Sequence, residues 1–122
     1  MMDKKMHEIS DQLFTRIAAR LKAMASPARL KILHALENNE LAVHEILARV
    51  GGSQANVSKH LNLLRTAGLV TCRRDGVSVY YAISDAAVFA ICRTVCDSLL
   101  HKATAEVEVI EEARAVMLAG KR

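Results

Sequence analysis

The stretch Gly51–Val70, GGSQANVSKHLNLLRTAGLV, decides how the chain is read. Its two glycines make a tight turn. Ser53 follows, and its hydroxyl can accept one of the free amide protons at the start of a helix. Val57, Leu61 and Leu64, with Leu63 beside them, recur at helical spacing and form one apolar stripe. Gly68 ends the helix, and Leu69-Val70 starts something extended. Between the apolar positions lie Gln54, Asn56, Ser58, Lys59 and His60, hydrogen-bonding side chains with one cation, gathered at the N-terminal end. Such a face suits base edges in a major groove. An ordinary solvated helix face would carry the same residues, so the flanking segments decide.

Upstream, a short helix of about Ala42 to Val50 buries Val43, Ile46 and Leu47. Helix, glycine turn, helix is the helix-turn-helix arrangement. Before it, Glu37-Asn38-Asn39-Glu40 is a polar turn. A second helix runs from about Pro27 to Leu36, with Leu30, Ile32, Leu33 and Leu36 as core candidates. Ser26 caps it and Pro27 takes its first position. Downstream, Asp75-Gly76 lies between two runs of β-formers, a hairpin signal that predicts a type I′ turn with positive φ at both residues. Strands of about Val70–Arg74 and Val77–Ile83 follow from it, with Arg73 and Arg74 flanking the tip. This hairpin reads as a wing able to reach phosphates or a minor groove. A hairpin that only caps the core is the plainer alternative.

The chain's two ends are long helices. Met6, Ile9, Leu13, Ile17 and Leu21 make an apolar stripe on residues 5–24. From Asp85 to Leu118 there is no Pro or Gly, Ser84 can cap, and Asp85 suits the positive helix end. Val88, Ile91, Cys92, Val95, Cys96 and Leu99 form its stripe, extended by Val107, Ile110, Val116 and Met117. Both stripes are too long for one small core, so residues 5–24 and 85–118 are expected to form a dimerisation layer. The expected fold is mainly α with a small β-hairpin wing: a single winged helix-turn-helix domain over residues 1–122, in the order α-α-α-α-β-β-α. A dimer would place two reading helices on successive half-sites of double-stranded DNA.

Composition agrees. The chain has 122 residues, 52% hydrophobic and only 3% aromatic, which fits one domain with an aliphatic core. Net charge is +4, and its surplus is local: residues 53–83 carry four Lys and Arg against one acid. A phosphate-binding surface needs that excess. No apolar run reaches the roughly 18 residues of a membrane helix, and the charged N-terminus lacks a signal-peptide core. A cytoplasmic protein without membrane contact is expected, and Cys72, Cys92 and Cys96 are then not a disulfide framework. No phosphate loop, HExxH, nucleophile elbow or paired carboxylates mark an enzyme. A winged helix used only for protein contacts is the better rival, but it would not need Gln54, Asn56, Lys59 and two wing arginines.

In this order, SPARLKILHAL, NELAVHEIL, SQANVSKHLNLLRTAGLV and RRDGVSVYYAI resemble the ArsR/SmtB family of bacterial winged-helix repressors. The resemblance covers about residues 10 to 100 and is most specific in the SQANVSKHLNLLRTAGLV segment. It implies a homodimer that represses its own operon and leaves operator DNA when an inducer binds. It implies that Ser53, Gln54, Asn56, Ser58, Lys59 and His60 approach DNA from the reading helix, and that Arg73, Arg74 and Tyr80 serve the wing. By chemistry, Gln54 and Asn56 can pair bidentately with adenine, while Lys59 and the arginines anchor phosphates.

The family senses metals at two common places, and this chain departs from both. A Glu-Leu-Cys-x-Cys pattern is replaced by Glu40-Leu41-Ala42-Val43-His44, so no two-thiolate site forms there. A zinc site at the last helix begins with a carboxylate and a His, but here the segment is Asp85-Ala86-Ala87. Asp97 and His101 remain, short of a full ligand set. The last helix does offer Cys92 and Cys96. Spacing i,i+4 puts their β-carbons roughly 5–6 Å apart, wide for a direct disulfide at about 3.5–4.5 Å. The pair suits one soft metal or metalloid ion such as arsenite, a bridge of extra sulfur, or redox pairing across a two-fold axis. Cys72 could supply a third thiolate only if the fold brings it near, and His101 lies off the ideal i+4 row. The alternative is a repressor whose cysteines are buried core residues and whose inducer is apolar or absent.

Overall fold

The computed structural model describes residues 2–120. Its elements are α1 (Met2–Met24), α2 (Pro27–Ala35), β1 (Leu41–Ala42), α3 (Val43–Val50), α4 (Gln54–Thr66), β2 (Val70–Asp75), β3 (Ser78–Ile83) and α5 (Ala87–Ala119). The winged helix-turn-helix expected from sequence is present. The chain divides into two compact units, one ending at Val88 and one beginning at Phe89.

The first unit is held by aliphatic packing. Ile32, Leu33 and Leu36, Ile46, Leu61 and Leu64, and Leu69 with Val70 are almost wholly buried. Each such side chain contributes about 1.5–3 kcal/mol by leaving water. Leu63, placed beside the stripe by sequence, remains 39% exposed.

Local chemistry sets the ends of the helices. Ser26 Oγ accepts from the Arg29 amide at 3.4 Å, and Ser53 Oγ accepts from the Asn56 amide at 3.2 Å. Gly51 and Gly52 take φ of +76° and +85°, which only glycine adopts cheaply. At the far end of α4, the Leu69 amide donates to Leu64 O and the Gly68 amide to Arg65 O, both at 3.0 Å. With Gly68 at φ +80°, this is a Schellman ending. It turns the chain from the helix straight into β2.

Three details differ from expectation. The wing is a three-stranded antiparallel sheet in the order β1-β3-β2, not a lone hairpin. Leu41 pairs with Tyr81 and Ala42 with Tyr80, so the start of the α3 segment is extended and α3 begins at Val43. Two residues are too few to show alternation, so this strand left no sequence signal. Second, the hairpin closes one residue later. Asp75 pairs with Ser78, leaving Gly76-Val77 as the loop. Gly76 has φ +63° and no residue other than glycine has positive φ among those described, so the type I′ turn is replaced by the sign pattern of type II′. Third, Ser84 does not cap α5. Its hydroxyl donates to Gly68 O at 2.7 Å, and Asp85 Oδ1 instead accepts from the Ala87 amide at 3.0 Å.

On α1, Met6, Ile9, Leu13, Phe14, Ile17 and Leu21 are all substantially exposed within one chain. In the second unit, Val95, Leu99, Val107, Ile110, Val116 and Met117 are exposed as well. Lone chains rarely leave so many large apolar side chains of one helix in water.

Candidate nucleic-acid interface

The first turns of α4 present Ser53, Gln54, Asn56, Ser58 and Lys59 to solvent, while Val57 and Leu61 point into the core. Ser53 is spent as the cap. Gln54, Asn56, Ser58 and Lys59 are the side chains left to reach a ligand. Gln54 also lines a groove of about 280 Å³ with Ala42, Val43 and His44 on one side and Val77, Ser78 and Val79 of the wing tip on the other. The start of the reading helix and the tip of the wing therefore border the same opening.

His60 sits differently. It is half-buried, and its Nδ1 lies 3.4 Å from Nη1 of Arg29. The same guanidinium donates through Nε to Ala23 O at 2.6 Å and through Nη2 to Lys22 O at 3.3 Å. Arg29 thus bonds two carbonyls at the end of α1, one of which, Lys22 O, also accepts from the Ala25 amide, and it touches α4. Sequence reading missed it. Its only signal was a charged residue on the half-buried side of an apolar helix.

On the wing the two arginines part company. Arg73 Nε lies 2.9 Å from each carboxylate oxygen of Glu40, and Nη2 lies 2.6 Å from Oε1. Its guanidinium also sits 4.8 Å from the centroid of the Tyr80 ring, a cation–π distance. Bonding to Arg73 holds the Glu40 carboxyl below the usual carboxylate range, and Glu40 raises Arg73 in turn. The Arg74 side chain is exposed and has no hydrogen-bond or ion-pair partner among the described residues, its backbone pairing with Val79 in the ladder. Glu40 was read as part of a polar turn and as the start of the Glu40–His44 segment, not as a partner of the wing, because nothing in the sequence joins it to a residue 33 positions away.

The three cysteines are free thiols. Cys72 on β2 and Cys96 on α5 are exposed, and Cys92 is half-buried. A fully buried pair is therefore not what one chain shows. Among the described residues no three His, Cys, Asp or Glu gather as a metal-holding group. Two thiols of one helix are fewer donors than a closed tetrahedral or three-thiolate site needs, so one chain does not fit a resident metal. No described helix is long and apolar enough to cross a membrane.

Comparison with known proteins follows the same lines. Residues 26–71 match the model of the bacterial regulatory proteins of the arsR family. The chain is 44% identical over 77 residues to the nodulation protein NolR of Rhizobium meliloti, spanning 63% of that protein and of this one. It is 43% identical over 82 residues to the transcriptional activator HlyU of Vibrio cholerae, covering 67% of this chain and 71% of that protein. The Vibrio cholerae structure described as reduced HlyU superimposes with TM-score 0.63 at 36% identity, covering 79% of this chain and 96% of that one. The winged helix-turn-helix domain Mb0332 of Mycobacterium bovis is described as homodimeric, DNA-binding and a possible ArsR-family regulator. It superimposes with TM-score 0.68 at 34% identity, over 76% of this chain and 89% of that one.

Proposed function

Because the chain belongs to the ArsR family of bacterial regulatory proteins, we propose that it is a homodimeric, inducer-responsive repressor whose α4 reads operator DNA. It is a DNA-binding transcriptional regulator and not an enzyme. The observation that carries the reading is the exposed set Gln54, Asn56, Ser58 and Lys59 at the start of α4, bordering one groove with the wing tip. Gln54 and Asn56 would read base edges, and Lys59 and Arg74 would hold phosphates. The exposed stripes of α1 and α5 would be covered by the second copy, as Mb0332 is homodimeric.

The sign of control is repression: a dimer seated on a promoter blocks polymerase. The name of HlyU carries the opposite sign, so a promoter–reporter fusion with and without the gene is the direct test. Reporter output that falls on deletion would contradict repression.

Release is assigned to Cys92 and Cys96. One chain brings two thiols and no third donor, a set better matched to a bridge of extra sulfur delivered by a persulfide, or to oxidation, than to a three-thiolate metalloid site. That a relative was solved in a form described as reduced supports a redox reading. A soft ion such as arsenite would need a further donor, from the partner or from Cys72.

A further inference from the structure

Resting on the DNA-binding reading above, we propose that Arg73 is not a phosphate ligand but, with Glu40 and Tyr80, the clamp that fixes the wing against the helix-turn-helix.

The register places the three side chains together. Arg73 on β2 is the Cα partner of Tyr80 on β3, and Tyr80 is the partner of Ala42 on β1. Partners in register share a face of the sheet, and so does Glu40, two residues before Ala42. Arg73 therefore reaches across the Tyr80 ring of the middle strand and bonds Glu40 beside the far strand. One side chain spans all three strands. β1 is held by only two residue pairs, a weak attachment without further support. It leads directly into α3, whose first residues share the groove with Gln54 and the wing tip. Holding β1 thus holds the wing tip relative to the reading helix.

The electrostatics point the same way. Two of Arg73's nitrogens are already bonded to Glu40, and Nη1 lies 3.9 Å from Asp75. Trading Glu40 for a phosphate would leave a bare carboxylate facing DNA. A neutralised arginine releases no counterion, so only Arg74 on the wing should register in the salt dependence of binding.

The test separates position from charge. A labelled duplex, selected by the wild-type protein from a random-sequence pool, is titrated by fluorescence anisotropy across a salt series. If charge alone mattered, Glu40→Gln would remove an anion, free Arg73 and tighten binding with a steeper slope. The clamp predicts the reverse: Glu40→Gln and Arg73→Ala each weaken binding about three- to ten-fold with the salt slope unchanged. Tyr80→Leu, which removes the ring, should behave like Arg73→Ala. Arg74→Ala should lower the slope by about one. Tighter or unchanged binding by Glu40→Gln overturns the clamp, as does a slope lowered by about one in Arg73→Ala. Failure of the wild-type protein to select any duplex would instead overturn the DNA-binding reading itself.

Discussion

One carboxylate of Asp85 does two jobs: Oδ2 accepts from Nη1 of Arg20 on α1, and Oδ1 accepts from the Ala87 amide at the start of α5. The two side chains are 29% and 47% exposed, so the ion pair itself is worth only about 0.2–1 kcal/mol. The cap adds about 1 kcal/mol. Asp85→Ala should therefore lose about 1–2 kcal/mol in urea unfolding at fixed protein concentration. Asp85→Asn keeps an oxygen for the cap and should lose only the smaller part, as should Arg20→Ala. Equal losses for Asn and Ala would show that the cap contributes nothing.

Gly68 ends α4 at φ +80°, and a Cβ built there would meet nothing nearer than Arg20 Nη2 at 3.8 Å. The site has room, so the cost of Gly68→Ala is backbone strain of about 1–2 kcal/mol. Thermal unfolding should show the loss. An alanine variant as stable as wild type would mean the helix ends differently.

Gln54 and Lys59 should fail in different ways. Gln54→Ala is expected to cost about 1–3 kcal/mol on the selected sequence and to relax preference at one position. Lys59→Ala should weaken binding to all sequences alike and make the salt slope shallower by about one. Binding measured on a panel of single-base variants distinguishes them. A panel on which Gln54→Ala keeps the wild-type order of affinities would remove Gln54 from base reading.

Release should need both helix thiols. Reduced protein bound to labelled DNA is titrated with a persulfide donor, arsenite, Cd(II) and Cu(I). The wild type should release DNA with the persulfide donor, and Cys92→Ser/Cys96→Ser should not respond. Release that persists in the double variant would assign induction elsewhere in the chain.

The Glu40 carboxyl titrates below its ordinary value because Arg73 bonds its charged form. Its contribution to stability is therefore fully present above the unfolded value, about pH 4.3, and is lost as pH falls through the folded value. The stability gap between wild type and Glu40→Gln should stay flat near neutrality and close only in acid. A gap that changes between pH 6 and 8 would mean another group is responsible.

Much of the fold was legible because its signals are local. The helical spacing of Val57, Leu61 and Leu64, the caps at Ser26 and Ser53 and the stop at Gly68 each depend on a few neighbouring residues. The exposed face of α4 followed from the same spacing. What could not be read depends on distant contacts. β1 is two residues long and exists through its pairing with β3. The exchange of Ser84 for Asp85 at the start of α5 turns on the Gly68 carbonyl, 16 residues away. Arg73 and Arg74 are adjacent and chemically identical, and it is contact with Glu40, Tyr80 and Asp75 that separates their surroundings.

If α4 and the wing are the binding surface proposed above, they bind duplex DNA largely through charge. The most direct test is the salt dependence of wild-type binding to the selected duplex, set against a random duplex. Log K should fall steeply and linearly with log salt on both, by about 0.9 per phosphate neutralised, with the selected duplex bound more tightly throughout. Binding that is indifferent to salt, or equal on the two duplexes, would contradict it.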